Sequence, residues 1–220
     1  GKSWTAYLMA ISVDAGCSRI WPVPVAVPTL VINLERSAAS VAIRIGAANS
    51  ALGLPRSREL FVLNRRGHSF ADVLPAVEKA VRDRGIGFVV LDSISRAGLG
   101  DLTENQPVNA IMDSLNSLGV AWMGLGHSPR ADESHVYGGI HFDAAADILI
   151  QILSEQDSDT PGSPLGIGLQ VTMANDLPPI PLGVWAYEFD RLTLSGVRPA
   201  RRGEFPEILA RQGKKNPARD

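Results

Sequence analysis

The chain alternates short apolar runs with stretches of helical period, and this alternation limits the folds open to it more than any other feature. Thr29-Leu-Val-Ile-Asn-Leu34, Leu60-Phe-Val-Leu63, Gly87-Phe-Val-Val-Leu-Asp92 and Val120-Ala-Trp-Met-Gly-Leu125 have the length and apolar content of buried strands. Ahead of them, Ser3 to Ala15 reads as a helix with Leu8, Ile11 and Ala15 on one face. Ser37 to Leu52 reads as a second, with Val41, Ile45 and Ala48 as its stripe and Gly53 as its stop signal. Phe70 to Arg84, closed by Gly85, is a third, and Pro107 to Leu118, capped by Asn105, a fourth. This rhythm predicts an α/β fold with a mainly parallel sheet between helices. Asp147 to Leu153, Gly166 to Thr172 and Val184 to Phe189 follow without helices between them. They are expected as antiparallel strands at one edge, with residues 155–164 as a hairpin loop. No internal repeat is visible.

With 220 residues and 45% hydrophobic content, the chain can bury the core of one domain. The single Cys17 rules out a disulfide framework and is expected as a buried small apolar residue. No run of about 18 apolar residues is present, so no membrane span is expected, and a reduced, cytoplasmic setting is the default. The net charge of −2 is uneven. Residues 198–220 hold seven Lys and Arg against three Asp and Glu, a net of +4 that leaves −6 for the preceding body. We expect a domain over residues 1–197 and a basic, Pro-containing, poorly ordered tail over 198–220. The alternative for the tail is contact with nucleic-acid phosphates.

The polar residues that carry chemistry sit at strand ends and at the start of a helix. Gly1-Lys2-Ser3, followed directly by a helical pattern, matches the close of a phosphate-binding loop, G-x-x-x-x-G-K-[ST]. In such a loop the backbone amides cradle phosphate oxygens, the Lys reaches the β- and γ-phosphates, and the Ser hydroxyl ligates Mg²⁺. Val31-Ile-Asn-Leu-Glu35 ends in Glu35, Phe88-Val-Val-Leu-Asp92 in Asp92, and Trp122-Met-Gly-Leu-Gly-His127 in His127. In open α/β sheets ligands bind at the carboxyl ends of strands. Taken singly, each has a plainer reading: Glu35 as a carboxylate at a helix N-terminus, Asp92 as a loop cap and His127 as a structural histidine. Other candidates have simpler readings. His135 and His141 lack zinc-type partners, Asp101 and Glu104 precede a helix they would cap, and Arg65-Arg66-Gly67-His68 is a solvated turn that could touch phosphates. Phe88 and Trp122 read as strand-core residues.

The order Gly1-Lys2-Ser3, Glu35, Asp92-Ser93, His127 resembles the RecA-like ATPase core, and within it the AAA-family branch of RepA-type hexameric helicases. Leu91-Asp-Ser-Ile-Ser-Arg-Ala97, Gly126-His-Ser-Pro-Arg130, Gly138 to Asp147 and Val171-Thr-Met-Ala-Asn175 fit that branch, so the likeness spans about residues 1–190. The resemblance implies a RecA-like sheet whose first strand and the start of the phosphate loop would precede Gly1. It implies ATP and Mg²⁺ as ligands, with Gly1, Lys2, Ser3 and Asp92 binding nucleotide and Ser3 and Asp92 holding the metal. Glu35 would activate the attacking water, Lys2 would bind the phosphates, and His127 would sense the γ-phosphate. DNA-binding loops would lie at residues 96–106 and 128–139, in a homo-oligomeric ring or filament acting on single-stranded DNA. Two departures stand out: Met173 lies where relatives place a Lys that reaches a neighbour's nucleotide, and Asp147 about where some place an Arg finger. Arg130 and Arg191 are the candidate substitutes. The expected function is an ATP-hydrolysing domain of a DNA-directed motor in replication or recombination. The alternatives are a non-hydrolysing ATP-binding switch and an RNA- or protein-directed signalling ATPase.

Overall fold

A computed structural model describes residues 1–97, 105–127, 146–157, 160, 162–178 and 180–211. The elements run α1 (Lys2–Ala15), β1 (Thr29–Asn33), α2 (Ala38–Ala51), β2 (Phe61–Asn64), α3 (Phe70–Arg84), β3 (Phe88–Asp92), α4 (Asn105–Ser117), β4 (Ala121–Gly124), β5 (Ile148–Glu155), β6 (Leu165–Ala174), β7 (Gly183–Asp190), β8 (Thr193–Pro199) and α5 (Pro206–Arg211). The first four strands form a parallel sheet in the order β2-β1-β3-β4, and the last four an antiparallel sheet in the order β5-β6-β7-β8.

Why the central strands read as continuous apolar runs is clear from their packing. Alternate side chains of a strand point to opposite faces, and here both faces are covered. Val31 and Val90 pack with α1 and α2 on one side. Leu30, Ile32, Val89 and Leu91 pack on the other with Phe70, Val73 and Val77 of α3 and Val108, Ile111 and Leu115 of α4. Helix α3 opens with a capping box in which Ser69 and Asp72 satisfy each other's backbone amides, and closes on Gly85 at φ 60°.

Helices α1 and α2 both lie in the core shared by the two sheets. Tyr7, Leu8, Ala10 and Ile11 are almost fully buried, in the same core cluster as Ile167, Leu169, Tyr187, Leu194 and Val197 of the antiparallel sheet. Thr5 Oγ1 lies 2.9 Å from the Tyr187 hydroxyl; burial pushes that phenol up to about 12. The helix ends at Gly16, φ 67°, where a Cβ would come within 2.7 Å of Ala26 Cβ, so both conformation and space call for glycine.

The expected antiparallel strands are present and, among the described residues, make a four-stranded sheet of their own, joined to the first through the shared core. The expectation of a buried Cys17 is corrected. Cys17 is exposed, because it follows the left-handed Gly16 cap where the chain turns outward. The segment after residue 197 carries structure as far as Arg211. Strand β8 escapes a period-two reading because Ser195 is an extra residue opposite Glu188 and Phe189, so that Leu194 and Val197 both face inward. Arg198, counted toward a basic tail, instead binds Glu188 (2.9 Å) and Glu204 (2.6 Å), the latter held at about 2 chiefly by its hydrogen bond to Arg198. Phe205 and Ile208 of the same segment are buried against Leu153 and Ala186, and the Ile208 amide donates to Glu155 Oε2 at 2.9 Å. Residues 212–220 lie outside the described residues.

No helix among the described residues is long and apolar enough to cross a membrane. Ile208→Ala removes a buried side chain from the second sheet and is expected to cost about 2–5 kcal/mol. Urea unfolding followed by circular dichroism checks this, and an unchanged midpoint would mean that α5 does not support the sheet.

Candidate nucleotide site

Three polar residues end the parallel strands at one level. Asn33 stands opposite both Asn64 of β2 and Asp92 of β3, so the carboxyl end of the sheet carries a single polar rim. Asn33 is fully buried and its amide is satisfied there. Its Nδ2 donates to Asn64 Oδ1 at 3.0 Å and to the Arg36 carbonyl at 2.7 Å, while its Oδ1 accepts from the Arg36 amide at 2.9 Å. This side-chain clamp turns the chain leaving β1 and fixes Glu35 and Arg36 at the rim. Ser37 then caps α2 by accepting from the Ser40 amide.

Helix α1 meets the same rim with its first turn. Ser3 and Tyr7 are four residues apart and share a helix face, and the Tyr7 hydroxyl lies 3.4 Å from Asp92 Oδ2. Gly1 lies against β5 and β6, where a Cβ would come within 2.8 Å of Ile167 Cδ1. Between these elements is a cavity of about 290 Å³. Gly1, Lys2, Ser3, Glu35, Asp92 and His127, scattered over 127 residues of sequence, all line it, with Trp4, Arg36, Arg44 and Ser93.

The charges in this cavity are only partly neutralised. Lys2 Nζ is 2.9 Å from His127 Nδ1. An ammonium can only donate, so a protonated Lys2 uses Nδ1 as its acceptor in this contact. Burial lowers the Lys2 pKa, and Glu35 opposes the change. Asp92 is 2% exposed. Burial, and then the Glu35 carboxylate, hold its pKa above the usual range, while Arg36 and the Ser3 and Tyr7 hydroxyls pull it back. Burial and the Asp92 charge in turn raise the Tyr7 phenol. Arg44 sits 4.6 Å over the Trp4 ring, and its pKa is lowered by burial and by the neighbouring Arg36. Arg36 Nε is buried with no hydrogen-bond partner among the described residues. Ser93 Oγ donates to Glu35 Oε2 at 3.2 Å and lies 2.9 Å from Ser95 Oγ. The Asp92–Ser93 peptide is cis. Glu35 also borders a second cavity, of about 350 Å³, whose lining includes Arg66, His68 and Arg96.

Crowded cations with an orphaned guanidinium donor fit a polyanion, and a serine hydroxyl beside a carboxylate is an oxygen donor set suited to Mg²⁺. No group of three or more His, Cys, Asp or Glu able to hold a metal occurs among the described residues.

The profile of the AAA domain family matches residues 1–133, more than half of the chain. The chain belongs to the AAA domain family. The chain is thus an AAA-type P-loop ATPase family member on an α/β, RecA-like fold. A comparison with curated proteins gives no match. The matched part of the AAA domain contains Gly1, Lys2, Ser3, Glu35, Asp92 and His127. Met173 and Asp147 do not line the cavity; Met173 lies opposite Leu149 in the β5–β6 ladder. Arg191 is at the β7–β8 turn and is also not part of the lining. Arg130, His135, His141, Asp101, Glu104, most of the 96–106 loop and the whole 128–139 loop lie outside the described residues.

Sequence reading missed Asn33, Arg36, Arg44 and Tyr7 in this AAA domain. Arg36 directly follows a strand-end carboxylate and Tyr7 follows Ser3 by one turn, so each had a positional signal. Asn33 reads as part of an apolar strand, and Arg44 as the solvated side of a helix. The raised Asp92 pKa gives a signed prediction. Its folded value exceeds the unfolded one, so ionised Asp92 opposes folding above that folded pKa, and acid relieves the penalty. Asp92→Asn is therefore expected to raise the melting temperature near pH 7.5, by roughly 2–4 °C per kcal/mol relieved, with the gain shrinking toward pH 4. Calorimetry across that range checks it, and a variant less stable at pH 7.5 would show that the carboxylate stabilises the rim.

Proposed function

We propose that the chain binds ATP with Mg²⁺ and hydrolyses it as the RecA-like domain of a DNA-directed motor of helicase or recombinase type. The observation that carries this reading is the convergence of Lys2, Ser3, Glu35, Asp92 and His127 on one cavity at the carboxyl ends of parallel strands. Lys2 and Arg44 bind the phosphates, and Ser3 Oγ and an Asp92 oxygen hold the metal. Mg²⁺, when bound there, would supply positive charge that neutralises the charge developing on the phosphates. The Ser93 hydroxyl holds one oxygen of Glu35. The other oxygen takes the proton of a water whose oxygen attacks the terminal phosphorus as the bond to the bridging oxygen breaks.

His127 has a second task in this reading. Without phosphate it accepts a hydrogen bond from Lys2; a terminal phosphate competes for that ammonium and frees the imidazole. The residues that follow His127 in sequence are those expected to contact single-stranded DNA, which makes the histidine a reporter from one ligand to the other. Direction toward DNA and a homo-oligomeric ring or filament rest on the order of the motifs and their resemblance to RepA-type helicases, and a cytoplasmic setting is the default that the composition gives. Met173, where relatives carry Lys, supports the second reading: a nucleotide-binding switch that does not turn over.

ATP turnover with and without single-stranded DNA tests the proposal, with any natural residues ahead of Gly1 retained. Lys2→Ala is expected to abolish nucleotide binding. Glu35→Gln is expected to keep it while turnover falls about 10²- to 10⁴-fold. Tight Mg²⁺-ATP binding by the parent chain without turnover would establish the switch instead.

A further inference from the structure

We infer that Arg36 supplies, from the same chain, the cation that contacts the terminal phosphate of a bound nucleoside triphosphate. This rests on the nucleotide reading of the cavity given above. In related assemblies that contact is expected from a neighbouring subunit, and here the positions for it carry Met173 and Asp147. Neither lines the cavity.

Three cations do line it, and their commitments differ. Lys2 is hydrogen-bonded to His127. Arg44 is stacked on Trp4. Arg36 alone of the three has a buried side-chain donor, Nε, with no partner among the described residues. A buried guanidinium donor without an acceptor is costly, and an anion entering the cavity removes that cost.

The placement of Arg36 is fixed by its backbone. Asn33 binds both its amide and its carbonyl, and Asn33 is itself fully buried and held by Asn64. The guanidinium therefore stems from a clamped turn, one residue after Glu35 and close enough to Asp92 to lower its pKa. A cation anchored in this way needs no second subunit to position it, and an arginine acting in cis can serve phosphoryl transfer as one supplied in trans does. The neighbouring Arg44 is pushed down by Arg36, as expected of two cations held together for a polyanion.

The experiment compares Arg36→Ala, Arg36→Lys, Lys2→Ala and the parent chain, again with any upstream residues retained. ATP and ADP affinities are read by titration calorimetry, turnover by phosphate release. The expected result is that Arg36→Ala loses the preference for ATP over ADP and about 10³-fold in turnover, with ADP affinity changed less than about threefold. Arg36→Lys keeps part of the preference, because charge survives while the planar fork does not. Arg36→Ala mixed with Lys2→Ala stays inactive, since neither chain has a complete site. Restored turnover in that mixture would overturn the inference by showing that Arg36 acts across an interface. Unchanged ATP preference and turnover in Arg36→Ala would overturn it while leaving the nucleotide site intact. If Lys2→Ala binds nucleotide as the parent does, the nucleotide reading fails and Arg36 falls with it.

Discussion

The buried amide of Asn33 ties together the parts of the molecule that must agree for a site to exist. A carboxamide with no solvent contact is tolerated only when its donors and acceptor are met, and here the partners come from β2 and from both backbone groups of Arg36. Strand register, the exit path from β1 and the start of α2 are thereby set by one side chain. Glu35 and Arg36 have no comparable freedom to drift, although both stand at the open end of the sheet. The rim is rigid where its charges are fixed and open where a ligand would enter.

Around that rim the molecule holds like and unlike charges close together under partial burial. Asp92 is disfavoured as an anion by burial and by Glu35, and Arg44 as a cation by burial and by Arg36. Such an arrangement gains nothing for folding. It is maintained by the apolar mass behind it, in which α1 is packed between two sheets with Leu8, Ala10 and Ile11 at 0% exposure. Stability generated on one side of α1 thus supports electrostatic strain on the other, the usual division between a core and a functional site.

How much of this was legible in the sequence follows from the kind of signal involved. Strands β1 and β3 are covered on both faces and so stand out as apolar runs. Helix α3 announces itself with Ser69 at one end and Gly85 at the other. Strand β8 was hidden because its bulge breaks the alternation on which strand reading depends. The order of the second sheet was beyond reach for another reason: pairing between strands is long-range, and nothing local in Leu165 to Ala174 says whether it joins an existing sheet or founds a new one. At the site, residues whose type is rare in apolar runs, such as Asp92 and His127, were found. Asn33 and Arg44 were not, since a polar residue in a strand or on a helix has many ordinary explanations until its neighbours in space are known. Charge counts misled at Arg198, whose guanidinium is committed to Glu188 and Glu204.

The stacking of Arg44 on Trp4 has an optical corollary. Trp4 is 8% exposed, borders the cavity, and meets Phe189 edge-on at 6.0 Å on its other side. Trp21 and Trp185 pair with each other, and Trp122 is bound to Asn116. The indole that lines the candidate site is thus the one whose electronic surroundings include a guanidinium. A ligand in this cavity that drew the guanidinium away from the ring would alter the emission of Trp4, so the candidate site carries its own fluorophore.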